Sequence, residues 1–261
     1  MRSASDHRYF DSPFIALAHR GGATYEPNLG RENSVHAFEQ AAALGYQYFE
    51  TDVHVTRDGV LVAFHDERLD RATDATGVIA ELDHAQVAEA RIGGIDPIPT
   101  LAELLETFPE ARFNIDIKAP GAVEPLVEQI NAFRAQQRVC VGSFGIDRIM
   151  AFRRLMGSQV PTAVSNAGVL WTAKVPFLPT LVNDPGVAFQ MPVSHDVAGH
   201  TVRLLTHTMV ARAHEAGKQV HVWTIDDAAE MNALIDLGVD GLVTNRIDTL
   251  REVLIERGLW G

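Results

Sequence analysis

Short apolar runs alternate with amphipathic stretches along most of the chain. The apolar runs are rich in Val, Ile, Phe and Ala, a composition typical of buried strands, and predict strands at 14–18, 48–53, 60–64, 112–117, 138–141, 160–164, 187–191, 219–223 and 241–244. Apolar residues at helical spacing predict helices that include 35–44, 101–107, 147–156, 208–216, 228–237 and 249–257. Repeated strand–helix alternation predicts an α/β fold whose parallel strands are joined by helical crossovers.

Nine strands are one too many for a (β/α)₈ barrel, but the surplus has a local explanation. The sequence Arg57-Asp58-Gly59 separates two apolar runs and favours a β-hairpin between residues 53 and 64. The remaining eight strands predict a TIM barrel, and a length of 261 residues suits a single barrel domain spanning 1–261. The alternative is an open doubly wound sheet, but the chain has neither a G-x-G-x-x-G motif after the first strand nor a Walker A sequence.

The stretch from 66 to 99 interrupts the alternation of predicted strands and helices. It is polar, contains several Gly and Asp residues, and has room for one short helix near 85–90. Long insertions after a barrel strand are usually functional, so we expect this one to cap the barrel mouth.

Three carboxylates on two predicted strands suggest a metal site. Glu50 and Asp52 are two residues apart, so both side chains point to the same face of their strand. Asp116 and Lys118 repeat this spacing on another strand. Like charges inside a barrel are costly unless a cation joins them, and oxygen ligands without cysteine suit magnesium or calcium. The alternative is a structural ion-pair network that Lys118 neutralises.

Two histidines and an arginine follow predicted strands. His19 and Arg20 end the first strand, where a barrel places its chemistry, and the guanidinium fork of Arg20 suits a phosphate. His65, followed by Asp66, ends the third apolar run, and the hairpin would bring it roughly opposite Glu50. Each histidine could instead be structural, or part of a turn. Together with the acids and Lys118, these groups favour displacement at a phosphorus centre, in which histidines move protons and cations stabilise phosphoryl charge.

Other residues give weaker signals. Asn33 or Ser34 could cap the following helix, and Trp223 could line a pocket or only pack at the rim. The apolar loop 171–181 could contact substrate or cover core.

The composition limits which partners the protein is expected to bind and the compartment in which it is expected. A net charge of −12 argues against a protein that coats nucleic acid or holds stably to an anionic membrane. The single cysteine, Cys140, lies in an apolar run and is expected to be a small core residue. We find no signal peptide and no apolar run long enough to span a membrane, so a cytoplasmic protein is expected. Its oligomeric state is left open.

A set of motifs resembles the glycerophosphodiester phosphodiesterase family. The matching segments are Ala18-His19-Arg20-Gly21-Gly22, Glu32-Asn33-Ser34, Glu50-Thr51-Asp52-Val53, Thr56-Arg57-Asp58-Gly59, Phe64-His65-Asp66, Asn114-Ile115-Asp116-Ile117-Lys118, Ser143-Phe144, Val222-Trp223-Thr224 and Asp240-Gly241-Leu242-Val243-Thr244-Asn245. They run in family order from about residue 15 to 250, so the resemblance covers nearly the whole chain.

The resemblance implies a (β/α)₈ barrel that hydrolyses glycerophosphodiesters to glycerol 3-phosphate and an alcohol. It implies that His19 and His65 form the acid–base pair, that Glu50 and Asp52 bind one divalent cation, and that Arg20 and Lys118 hold the phosphate. Two features depart from the family pattern: Asp116 stands where the family usually has glutamate, and the stretch 25–31 is longer than the usual lead into Glu32-Asn33.

Two rival functions stay open. One is a lysophospholipase D-type phosphodiesterase that acts on lipid, and the other is a barrel that binds a phosphorylated ligand without catalysis. The acidic balance of the chain weighs against the first, and the retention of histidines, acids and basic residues together weighs against the second.

Overall fold

A computed structural model of the protein describes residues 3–165, 168–169, 184–197 and 200–261. Its strands are β1 (Ile15–His19), β2 (Tyr48–Val55), β3 (Leu61–Ala63), β4 (Arg91–Ile92), β5 (Asp96–Pro97), β6 (Arg112–Ile117), β7 (Val139–Gly142), β8 (Ala188–Met191), β9 (Ser194–Val197), β10 (His200–Arg203), β11 (Gln219–Val222) and β12 (Gly241–Thr244). Its α-helices are α1 (Val35–Ala43), α2 (His84–Val87), α3 (Leu101–Thr107), α4 (Val123–Ala132), α5 (Ile146–Met156), α6 (His207–Glu215), α7 (Ala228–Leu237) and α8 (Ile247–Glu256).

Parallel strands close into a TIM barrel, as predicted. Hydrogen bonding runs in the order β7–β6–β2–β1–β12–β11–β8. The predicted strand at 160–164 joins the two ends, because Thr162 pairs in parallel with Val141 and Ala163 pairs in parallel with Ala188. With this segment, the described residues supply eight parallel strands, and the carboxyl ends of all of them lie at one mouth of the barrel.

The third apolar run is a hairpin return, which confirms the explanation given for the surplus strand. β3 pairs antiparallel with β2, with Val53 opposite Ala63. The turn closes when the Gly59 amide donates to the Thr56 carbonyl, and Gly59 has a φ of 89° that favours glycine. Carried two residues beyond Ala63, this register brings His65 level with Thr51, one residue from the predicted position opposite Glu50.

Apolar residues fill both sides of the barrel wall. One cluster lies between the strands and the surrounding helices, and Phe38, Phe49 and Phe113 are among its fully buried members. A second cluster fills the amino-terminal end of the barrel interior, where Tyr9 packs edge-on against Tyr48. The segment before β1 therefore closes the barrel opposite its mouth. Cys140 is free and fully buried there, as predicted.

Leu69, Ile79 and Ile92 of the insertion 66–99 belong to a small apolar cluster that also includes Val62 of β3 and Phe64. The insertion docks on the loop before α1 through Arg31, whose guanidinium donates to both carboxylate oxygens of Asp96 at 2.6 Å. The predicted short helix is present as α2. None of residues 66–99, all of which the structure describes, lines the central cavity, so a capping role stays a prediction.

Candidate active site

A cavity of about 220 Å³ opens at the carboxyl ends of the barrel strands. All eight side chains singled out from the sequence line it, namely His19, Arg20, Glu50, Asp52, His65, Asp116, Lys118 and Trp223. The fold brings these side chains together from the barrel strands. Arg20, Lys118 and Trp223 directly follow strands, and His19 ends β1. The carboxylates Glu50, Asp52 and Asp116 lie within β2 and β6, and His65 lies two residues beyond β3. The fold therefore brings all of them to one mouth of the barrel.

Buried carboxylates and two cations form the charged side of the cavity. Lys118 donates to Asp116 at 2.7 Å and pairs with Asp52 at 2.9 Å. The Arg20 Nε atom lies 3.2 Å from the other oxygen of Asp52. Glu50, Asp52 and Asp116 are each less than a tenth exposed. When all three are ionised, these carboxylates carry one more negative charge than the two cations neutralise.

The three carboxyl groups respond differently to this arrangement. Burial, reinforced by the charge of Asp52, raises the pKa of Glu50 well above its ordinary value. Burial also raises the pKa of Asp116, although Lys118 opposes the shift. Burial pushes the pKa of Asp52 upward as well, but Lys118 and Arg20 outweigh it and hold that pKa below its ordinary value. Lys118 and Arg20 therefore favour the ionised form of Asp52. Glu50 and Asp116 have too little positive charge nearby to offset their burial.

These residues have the chemistry of a divalent-cation site. No group of three or more His, Cys, Asp or Glu side chains within the described ranges is arranged as metal ligands. Asp52 and Asp116 instead share the ammonium group of Lys118. The donors nevertheless fit a hard cation, because all three are carboxylates and the buried Asp116 Oδ1 atom has no hydrogen-bond partner. A cation here would supply the positive charge that Glu50 and Asp116 lack.

His19 is oriented from outside the cavity. Its Nδ1 atom lies 2.6 Å from Asn245 Oδ1, and its Nε2 atom faces Glu50 at 3.8 Å. Asn245 is held in turn by Asp226, which accepts from the side-chain amide at 2.9 Å and from the backbone amide at 2.7 Å. Burial and the neighbouring Arg20 charge lower the pKa of His19. The imidazole is therefore kept neutral at physiological pH.

His65 is held by a network that reaches into the insertion. Its Nδ1 atom lies 2.5 Å from Asp66 Oδ1, and Arg71 donates to the other oxygen of Asp66. Arg71 also donates to Glu32, which accepts from Arg20. Although burial opposes it, Arg71 and Arg20 lower the pKa of Glu32. Arg71 therefore links the surroundings of His65 to those of Arg20 across the mouth of the barrel.

The loop before α1 contributes more than a helix cap. Ser34 is the cap, since its hydroxyl accepts from the Ala37 amide at 3.1 Å. Asn33 is buried with a φ of 61°, accepts from Thr51 at 2.8 Å, and has its side-chain amide 3.4 Å from Asp52. Asn33 therefore orients a cavity carboxylate and is not the helix cap.

The glycines after His19 fit closely against helices. A Cβ on Gly21 would lie 2.7 Å from the Ala37 side chain, and one on Gly22 would lie 2.7 Å from Ile247. Both have positive φ values, of 84° and 93°. The absence of a side chain at both positions therefore lets the backbone after His19 pack directly against α1 and α8.

The other side of the cavity is apolar at its rim and polar at its floor. Phe144 is 57% exposed and packs edge-on against Trp223, with ring centroids 5.7 Å apart. The Lys118 ammonium lies 5.5 Å from the Phe144 ring centroid. On the floor, Gln190 donates to Asn114 at 2.7 Å. The predicted loop 171–181 lies outside the described residues.

Sequence reasoning gave no role to Arg71, Asp226 or Asn245. Asn245 had a usable signal, because it directly follows the strand that ends at Thr244. Asp226 and Arg71 lie in loops, where no periodicity indicates which way a side chain points.

No helix of the described residues has the length and apolar character required to cross a membrane.

Comparison with known proteins agrees with this architecture. The model of the glycerophosphoryl diester phosphodiesterase family matches residues 19–249. A Mycobacterium tuberculosis protein named "Probable glycerophosphodiester phosphodiesterase 2" is 40% identical over 252 residues, which cover 94% of this chain and 92% of the relative. A lysophospholipase D of Rattus norvegicus is 26% identical over 272 residues, covering 91% of this chain and 85% of that protein.

A phosphodiesterase of Oleispira antarctica, solved in complex with the product sn-glycerol-3-phosphate, has the same fold. Its TM-score is 0.76 at 21% identity, covering 95% of this chain and 99% of that one. The match of the family model to most of the chain, the 40% identical relative and the shared barrel lead to one conclusion: this chain belongs to the glycerophosphoryl diester phosphodiesterase family.

Proposed function

We propose that the protein hydrolyses glycerophosphodiesters to glycerol 3-phosphate and an alcohol. The observation that carries this proposal is the convergence of two histidines, two cations and three carboxylates on one cavity at the carboxyl end of the barrel. Membership of the family and the 40% identical relative support the same activity. Cationic groups stabilise the charge that develops on a phosphoryl group, and paired acid–base groups serve both halves of a displacement.

His19 would act as the proton acceptor. Its Nδ1–H donates to Asn245, so the neutral ring leaves Nε2 free and facing the cavity. The lowered pKa of His19 keeps this form populated at neutral pH. The nucleophile, either water or the 2-hydroxyl of the substrate, would lose its proton to this nitrogen as it bonds to phosphorus. Attack by the 2-hydroxyl would form a cyclic phosphate, and water would then open that ring at the 2-oxygen to give glycerol 3-phosphate.

His65 would act as the proton donor. Asp66 accepts from its Nδ1 atom, and in the protonated ring the Nε2–H group would be available to the oxygen of the leaving alcohol as the P–O bond breaks. Arg20 and Lys118 would bind the non-bridging phosphate oxygens. Both already face carboxylates at 3.2 Å or less, so they enter the reaction pre-oriented.

Glu50, Asp52 and Asp116 would hold one divalent cation, magnesium or calcium. The bound ion would supply charge stabilisation to a non-bridging phosphate oxygen. Asp116 has a shorter side chain than the glutamate usual in the family, and its unpartnered Oδ1 atom is the oxygen available for this role.

A second candidate activity is hydrolysis of lysophospholipid. The exposed Phe144 and its contact with Trp223 favour it, because they give the cavity an apolar rim that could receive an acyl chain. The similarity to a lysophospholipase D points the same way. Against it, the net charge of −12 repels the protein from anionic surfaces.

One assay separates these activities. We would compare kcat/KM for glycerophosphocholine, glycerophosphoethanolamine, lysophosphatidylcholine and phosphatidylcholine vesicles, and measure vesicle co-sedimentation. The proposal predicts the highest value for a soluble diester, with glycerol 3-phosphate as product. A clear preference for either lipid would favour the second activity, and binding of glycerophosphodiesters without turnover would identify a barrel that only binds them.

A further inference from the structure

Asp226 does not line the cavity, but it binds the Asn245 side chain, which in turn contacts the cavity residue His19. It lies between β11 and α7, and the described residues place three donors on its carboxylate. The Thr244 hydroxyl donates at 2.9 Å and the Asn245 backbone amide at 2.7 Å, both to Oδ1. The Asn245 side-chain amide donates to Oδ2 at 2.9 Å. The two oxygens therefore serve different donors.

This arrangement fixes which way the Asn245 amide points. A carboxylate only accepts, so the NH₂ group of Asn245 must face Asp226 and its oxygen must face away. That oxygen lies 2.6 Å from His19 Nδ1. Because an amide oxygen only accepts, the neutral His19 ring must carry its proton on Nδ1 and leave Nε2 unprotonated.

We propose that Asp226 is a positioning residue that sets the tautomer of His19 through the Asn245 amide. The inference rests on the proposed function only in so far as His19 is the proton acceptor there. The tautomer itself is a property of the resting protein and can be measured without turnover.

Asp226→Asn tests the mechanism directly. The new side-chain oxygen would keep the two donors at the Oδ1 position, and its NH₂ group would then face the NH₂ group of Asn245. The Asn245 amide should rotate to relieve this contact and turn its own NH₂ group toward His19 Nδ1. His19 would then carry its proton on Nε2, the nitrogen that must accept one during the reaction.

The readouts are the ¹⁵N resonances of the His19 ring and kcat. Spectra of the magnesium-saturated enzyme would be recorded at about pH 8, where histidine is neutral, and His19 assigned from the resonances missing in His19→Gln. We expect an Nδ1–H ring in the parent and an Nε2–H ring in Asp226→Asn. We also expect kcat to fall at least about 10²-fold, the scale of losing a general base.

The exchange variant Asp226→Asn/Asn245→Asp should rescue both readouts. The carboxylate at position 245 would accept from the amide at 226 and from His19 Nδ1–H, which restores the parental tautomer. We expect kcat within about tenfold of the parent. Asp227→Asn is the matched control, because Asp227 is exposed and caps α7 by accepting from the Glu230 amide at 2.9 Å. It should keep kcat within about twofold and leave the His19 ring unchanged.

An Nδ1–H ring in Asp226→Asn would overturn the proposal, whatever the activity. A restored tautomer with lost kcat in the folded exchange variant would support this control of the tautomer and refute the tautomer as the cause of the kcat loss in Asp226→Asn. If Asp226→Asn does not fold, the ring of the exchange variant decides: Nδ1–H supports the proposal and Nε2–H overturns it. A changed tautomer with unchanged kcat would support the positioning role and refute His19 as the proton acceptor of the proposed function.

Discussion

Replacing Arg71 with glutamine should slow the enzyme about tenfold while leaving its folding almost unchanged. Arg71 donates to Asp66 and to Glu32, each at 2.5 Å. Asp66 accepts from the ring of His65, and Glu32 accepts from Arg20 at 3.2 Å. Loss of the guanidinium therefore frees two carboxylates at once, and each of them orients a side chain of the cavity.

The magnitudes follow from the exposure of Arg71 and from the bonds it makes. Its side chain is 53% exposed, and exposed ion pairs stabilise proteins by about 0–1 kcal/mol, so the free energy of unfolding should fall by no more than about 1 kcal/mol. Catalysis is more sensitive, because small displacements of acid–base groups are costly. A tenfold loss in rate corresponds to about 1.4 kcal/mol, close to the net value of one hydrogen bond to a charged group.

The measurement is kcat/KM on glycerophosphocholine, with urea unfolding of the same samples. Arg68→Gln is the matched control, because Arg68 lies in the same insertion, is 54% exposed and pairs with Asp70 at 3.1 Å. It should keep parental turnover. The reasoning would be refuted if Arg71→Gln also kept turnover within twofold of the parent, or if its loss of activity merely followed a loss of several kcal/mol in stability.

Two further outcomes are expected. His19→Ala and His65→Ala should each lower kcat at least about 10²-fold without unfolding the protein, and near-normal turnover in either variant would remove that residue from the acid–base pair. Burial lowers the pKa of His221 to about 3 from 6.5, so the unfolded chain binds a proton that the folded chain does not, and stability should fall as pH drops from about 6.5 toward 3. This contribution amounts to at most about 1.4 kcal/mol per pH unit, and urea unfolding at pH 7.5 and 5 should show a weaker pH dependence for His221→Gln than for the parent. An identical dependence in the two proteins would contradict the role given to His221.

The barrel could be predicted from the sequence because apolar residues recur at regular spacings that distinguish strands from helices. Each apolar run must pair with neighbours to bury its side chains, and the turn residues at 57–59 identified the one run that folds back. The carboxylates were predictable for the same reason, since Glu50 and Asp52 must share a face once 48–53 forms a strand. The carboxyl ends of parallel barrel strands all lie at one mouth, so His19, which ends β1, was expected beside these carboxylates.

The supporting residues were not predictable, because their contacts depend on how loops fold. Asn33 precedes a helix, so a capping role was a reasonable expectation, yet a positive φ turns its side chain toward Thr51 and Asp52. Arg71 reaches Glu32 across 39 residues of sequence, and Asp226 reaches Asn245 from another strand end. No local pattern encodes such pairs, because a polar residue in a loop has no periodic partner.

The requirement for a divalent cation tests the central claim most directly. Enzyme treated exhaustively with chelator, and checked for residual metal by elemental analysis, would be assayed for glycerol 3-phosphate release from glycerophosphocholine. The His19→Ala/His65→Ala double variant would control for contaminating activity. We predict that the metal-free enzyme is inactive and that magnesium or calcium restores turnover, because Glu50, Asp52 and Asp116 exceed the charge of Arg20 and Lys118. Full release of glycerol 3-phosphate by metal-free enzyme would contradict this account.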